Sequence, residues 1–194
     1  MTLKRLIAID GLDGCGKDTH AERVREALAR KGVRVTVISH PSSRRLGRAS
    51  KRALQSAGAP ARLLATLFYA ADVLMSVRWY KRQEDGTVVF VRYLLGTAYL
   101  PRRLAPLSYA VFRRLLPFPD LALFIDIEPE VAIRRIEARD HTREMFETVE
   151  KLSQVRAVAR AITSSADWVT VDNSPDGEGA FLEVERLLRD RGIA

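Results

Sequence analysis

Ile7-Ala8-Ile9-Asp10-Gly11-Leu12-Asp13-Gly14-Cys15-Gly16-Lys17-Asp18-Thr19 is the stretch on which the fold turns. An apolar run ends at Asp10, glycines follow at 11, 14 and 16, and a helical pattern begins near Lys17. Glycines at these spacings let successive backbone N–H groups turn inward around an anion, and the helix aims its positive dipole end at the same point. Lys17 adds a mobile cation.

G-x-x-x-x-G-K after a strand and before a helix is the phosphate-cradling loop of P-loop nucleotide enzymes, so a nucleoside triphosphate is the expected ligand. Gly11, Asp13, Gly14, Cys15, Gly16, Lys17, Asp18 and Thr19 are its candidate ATP-binding residues. Ser or Thr is expected after the lysine as a magnesium ligand; Asp18 stands there instead, with Thr19 one residue later. Magnesium prefers oxygen donors, which makes Asp10 and Asp18 the candidate metal ligands. Cys15 lies beside Lys17 and a helix N-terminus, both of which favour thiolate, and is expected to react with alkylating agents. The guanine-reading N-K-x-D pattern is missing, which disfavours regulatory GTPases.

Outward from the loop, nearly continuous apolar runs at Leu6–Asp10, Val33–Ser39, Val88–Val91, Leu121–Ile127 and Trp168–Val171 read as parallel strands covered on both faces. Helical stretches alternate with them at roughly 17–31, 43–57, 60–83, 97–115, 129–139, 147–164 and 178–190. The class is therefore α/β with a five-stranded parallel sheet flanked by helices. Lys31-Gly32 and Asp85-Gly86 end helices, and Pro129 opens one. Pro101–Pro119 reads as an irregular helical excursion, either a solvated amphipathic helix or a surface for a membrane or partner.

The 194 residues carry 32 Lys and Arg against 24 Asp and Glu, a net charge of +8, with 47% apolar residues. These values fit one globular domain spanning 1–194 and exclude disordered or collagen-like chains. A single cysteine forbids an intrachain disulfide, the first apolar stretch is too short for a signal sequence, and no run is long enough to span a membrane. A cytoplasmic protein is the expectation. The basic excess suits nucleic acid, acidic lipid or phosphorylated small molecules equally.

With these motifs in place, the sequence resembles the thymidylate kinases over most of its length. Their loop G-x-D-G-x-G-K-[ST]-T is matched from Gly11 to Thr19 except at Asp18. Their F-x-A-x-R corresponds to Phe68-Tyr69-Ala70-Ala71-Asp72, and their D-R-[YH] to Val91-Arg92-Tyr93. P-D-L-x-x-x-[LI]-D, P-E-x-A-x-x-R and R-x-x-x-R-x-x-F-E are matched by Pro119-Asp120-Leu121 through Asp126, by Pro129-Glu130 through Arg135, and by Arg139, Arg143 and Phe146-Glu147. The resemblance implies a P-loop NTPase fold of the nucleoside monophosphate kinases, with a short lid at about 139–147 that closes over ATP. It implies transfer of the γ-phosphate of ATP to dTMP with magnesium, using Lys17, Arg92, Arg139 and Arg143 as catalytic cations, with His141 beside the last two. It further implies that Asp13 and Tyr99 lie near the acceptor sugar, that Phe68 stacks on the base, and that the partners are small nucleotides rather than nucleic acid or membrane. The family tends to pair through helices, so a homodimer is expected of the resemblance, while the residues leave monomer and dimer open.

Departures gather on the acceptor side. Asp72 replaces an arginine that meets the acceptor, Val91 replaces the aspartate of D-R-Y, and Ser39-His40-Pro41-Ser42-Ser43-Arg44-Arg45 replaces E-P-G-G. Two readings of Asp72 stay open: the acceptor phosphate is held by Arg44, Arg45 and Arg92, or Asp72 itself receives a hydroxyl or amine of the acceptor. Three functions follow: a thymidylate kinase, a kinase of another small acceptor, or a non-catalytic protein that binds ATP or associates with nucleic acid.

Overall fold

Apolar runs without in-out alternation become strands covered on both faces. β1 (Arg5–Gly11), β2 (Val35–Ser39), β3 (Thr87–Val91), β4 (Leu121–Asp126) and β5 (Trp168–Asp172) form one parallel sheet in the order β2-β3-β1-β4-β5. The computed structural model describes residues 3–56, 59–138, 148–164, 167–174 and 177–193. Every residue of β3 and β4 is buried, which explains their unbroken apolar sequence. Helices α1 (Lys17–Ala29), α2 (Arg45–Leu54), α3 (Ala59–Lys81), α4 (Ala105–Leu115), α5 (Pro129–Glu137), α6 (Val149–Thr163) and α7 (Gly177–Asp190) fill the connections. α1 turns Ala21, Val24 and Leu28 inward, the one-face spacing of a helix laid on a sheet.

Several expected boundaries shift, two of them for a visible reason. Val33 is not yet strand: its N–H closes α1 by donating to the Leu28 carbonyl (3.1 Å), and β2 starts at Val35. The single helix expected over 97–115 divides into a 3₁₀ turn, Leu95–Tyr99, and α4. Pro101 drives Leu100 into extended backbone (φ −75°, ψ 161°), which stops the first piece.

Parallel pairing puts all five carboxyl ends on one edge of the sheet. β1 lies between β3 and β4, with Ile9 opposite Val91 on one side and Leu123 on the other. Segments leaving β1, β2, β3 and β5 therefore converge beside the phosphate loop, where parallel α/β sheets place their ligands. Among the described residues, no helix is long and apolar enough to cross a membrane.

Candidate active site

Gly14 (φ 79°) and Gly16 (φ 87°) take the left-handed conformation that turns the loop's amides inward. No side chain caps the start of α1, so its first N–H groups are open to an anion. Lys17 is only 2% exposed. Its ammonium donates to the Leu12 carbonyl (2.7 Å) and to Asp13 Oδ1 (3.2 Å), leaving one of its three donors for a phosphate oxygen.

Asp13 is the hub of the site. Arg92 Nη2 donates to its Oδ1 (2.8 Å), and the Tyr99 hydroxyl donates to its Oδ2 (3.0 Å) while accepting the Asp13 N–H (3.1 Å). Burial opposes ionisation of Asp13, but Lys17 and Arg92 outweigh it and hold the carboxyl well below the usual range. Desolvation likewise works against the Arg92 charge, and Asp13 and Asp18 more than compensate, so its pKa is raised. Arg92 has φ 55°, an unfavourable angle for a side chain of this size. Its N–H donates to the Ile9 carbonyl (3.3 Å), and its own carbonyl accepts the Tyr69 hydroxyl. β1 and α3 thus fix the backbone that aims this guanidinium.

Several expected roles change. Asp10 is not free to ligate a metal, because its buried carboxylate accepts the N–H groups of Tyr93 (2.6 Å), Leu94 (2.9 Å) and Leu95 (3.0 Å) and so shapes the chain after β3. The expected reactivity of Cys15 is corrected too: the thiol is buried, and that burial raises its pKa despite the pull of Lys17. Asp72 is 0% exposed and meets no acceptor directly. Its carboxylate takes the Ser42 N–H (2.7 Å), the Ser42 hydroxyl (2.7 Å) and the Arg44 guanidinium (3.0 Å). Arg45 is exposed at the start of α2 and stands apart from that pair. Phe68 is half-buried on α3, one turn before Asp72. Thr19 is exposed on α1. Arg139, His141 and Arg143 lie outside the described residues.

Sequence reasoning missed four supporting residues. Ser42 and Ser76 act through contacts formed only once α3 meets the loop after β2, and Tyr69 through the bond it makes once α3 meets the chain after β3. Asn173, just after β5, donates through Nδ2 to the Cys15 carbonyl (2.7 Å), tying β5 to the phosphate loop.

Among the described residues, no group of three or more His, Cys, Asp or Glu could hold a metal ion. Magnesium does not require such a group, since it keeps most of its water and takes phosphate oxygens plus one or two carboxylates. Asp18 is the carboxylate that remains: it is 56% exposed, with Oδ1 accepting from Ser39 Oγ (3.0 Å) and Oδ2 lying 3.6 Å from Arg92 Nη1.

The family profile described as thymidylate kinase matches residues 9–180. A probable thymidylate kinase of Pyrobaculum calidifontis is 33% identical over 183 residues, covering 90% of this chain and 91% of the relative. One from Archaeoglobus fulgidus is 30% identical over 189 residues, covering 94% of each. The solved thymidylate kinase of Candida albicans superimposes with a TM-score of 0.80 at 18% identity, covering 98% of this chain and 93% of that one.

Proposed function

The chain belongs to the thymidylate kinase family, and on that premise we propose that it moves the γ-phosphoryl group of ATP to the phosphate of dTMP, giving ADP and dTDP. The observation that carries this reading is the hold of one carboxylate on two cations. Asp13 fixes Lys17 of the donor loop and Arg92 at the end of β3, so both charges reach the space between donor and acceptor. The loop amides and Lys17 bind the donor phosphates. Arg92 spreads its planar donors over the oxygens of the group in transit, whose charge is shared among three atoms. Three bonds on Asp13 leave about one acceptor position for a sugar hydroxyl. Asp18 would hold magnesium, which when bound neutralises phosphate charge. Phe68 offers its ring to the base, and Arg139 and Arg143 act from the lid.

The unbroken sheet supports a single kinase domain over 1–194. Pairing of two copies is supported by α3, where Leu63, Leu64, Leu67, Leu74 and Met75 are exposed. Steady-state ADP release tests the activity against dTMP, other nucleoside monophosphates and free nucleosides. ADP formation that depends on dTMP is expected; release that is indifferent to every acceptor would remove the reading.

A further inference from the structure

Asn173 is fixed more tightly than a residue that merely ends a strand. It follows β5 and is 3% exposed. Its N–H donates to the Asp126 carbonyl at the end of β4 (2.9 Å), and its own carbonyl accepts Arg135 Nη2 from α5 (2.9 Å). With the backbone held by two elements, the side chain reaches across to the phosphate loop, where Nδ2 donates to the Cys15 carbonyl (2.7 Å). It presses close, because a Cβ on Gly16 would lie 2.9 Å from that Nδ2. The other end of the amide has no hydrogen-bond partner among the described residues: Asn173 Oδ1 is buried and unpaired, as is Nδ1 of His20 on α1. A buried carbonyl left unpaired is costly, and such costs gather where a geometry serves function. The bond to Cys15 is therefore the one that keeps this side chain in place.

Cys15 precedes the left-handed Gly16, and a trans peptide points its C=O and N–H in opposite directions. Drawing the Cys15 carbonyl out toward β5 turns the Gly16 N–H back into the loop, on the side of Lys17 and the uncapped start of α1. Glycine resists rotation of that peptide very little, so the direction of the N–H depends on what holds the carbonyl. We propose that Asn173 is a positioning residue for the phosphoryl donor: it sets the Cys15–Gly16 peptide so that the Gly16 N–H meets a phosphate oxygen. In this role Asn173 touches no nucleotide itself. An N–H aimed in advance gives a phosphate a partner without the entropic cost of ordering the loop on binding. This inference rests on the reading of a nucleoside triphosphate as donor.

Calorimetric binding of ATP, inorganic tripolyphosphate and dTMP to the full chain tests this, since tripolyphosphate offers phosphates without a base. Asn173→Ala should weaken ATP and tripolyphosphate by the same factor, about tenfold, the loss of one charge-assisted hydrogen bond, and leave dTMP unchanged. In turnover the KM for ATP should rise while that for dTMP stays. Asn173→Asp keeps the volume of the side chain but sets an acceptor against the Cys15 carbonyl, so it should weaken both donors at least as much. Wild-type affinity for tripolyphosphate in Asn173→Asp would mean that the side chain only fills space, and overturns the assignment. A loss for ATP alone overturns it too, because the residue would then be reading the base, and so does an equal loss for dTMP, the mark of a general structural role. ATP binding that Asn173→Ala leaves intact removes this inference only; failure of the unaltered protein to bind ATP removes the kinase reading with it.

Discussion

Two aspartates hold two arginines at the carboxyl edge of one sheet, but on different terms. Asp13 sits four residues from Lys17 in the phosphate loop and meets Arg92 from β3, whose side chain is 33% exposed. Asp72 sits in the middle of α3, wholly buried, and meets Arg44, whose side chain is 34% exposed, from the loop after β2. The first carboxylate faces two cations and accepts the Tyr99 hydroxyl, so it keeps a cationic partner when either is lost. The second has one cation and two bonds from Ser42. The donor side is consequently robust and the acceptor side finely balanced, so equivalent insults should fall harder on the fold at Asp72 and harder on the chemistry at Lys17.

The largest effect should follow Asp72→Arg. A second guanidinium would sit buried beside Arg44 with no carboxylate near it, and breaking a buried pair costs about 3–5 kcal/mol before the like-charge repulsion is added. Denaturant unfolding should show most of the stability gone. A stable, active Asp72→Arg protein would mean that the pair does not hold the corner together.

Lys17→Ala tests the other side. Its loss leaves Asp13 still paired with Arg92, so the fold should survive, while phosphoryl transfer should fall by about a thousandfold, the scale on which a preorganised charge acts in a transition state. A comparable loss of fold in this variant would erase the contrast between the two corners.

What the sequence disclosed follows the same division. The strands were legible because buried parallel strands need unbroken apolar runs, and the donor loop because its glycines, lysine and following helix act over ten residues. The acceptor corner was legible only in part: Arg44 stood among the candidate residues, but its pairing with Asp72 did not. Arg44 and Asp72 are 28 residues apart, and as an isolated substitution Asp72 looks like a lost arginine; only the loop folded over Gly47 shows that the positive charge has moved. Asp10 misled for a related reason, since a carboxylate beside a phosphate loop suggests a metal until the chain after β3 delivers three N–H donors to it. The break at Leu100 was signalled by Pro101, but the apolar pattern continued past it.

pH offers a milder probe of the contrast. His40 is buried between the Val91 carbonyl (Nδ1, 3.2 Å) and Ser76 Oγ (Nε2, 2.8 Å), so the neutral ring carries its proton on Nδ1 and accepts from Ser76. Burial pushes its pKa down to about 4, against an ordinary value of 6.5. Between these values the unfolded chain binds more protons than the folded one, so stability is full above about pH 6.5 and declines as pH falls toward 4, by up to about 3 kcal/mol. Asp13, held ionised, should contribute no loss over that window. Urea midpoints measured against pH should show this slope, and His40→Asn should reduce it to the share of His20, whose burial also lowers its pKa; a slope unchanged in His40→Asn would place the titrating group elsewhere.

If Arg92, fixed by Asp13, touches both the donor and the acceptor, the kinetics of Arg92→Ala with dTMP will show it. A residue that binds the acceptor and also stabilises the group in transit should, when removed, raise the KM for dTMP and lower kcat together, each by about tenfold or more. A variant with wild-type kcat and KM for dTMP would mean that Arg92 touches neither.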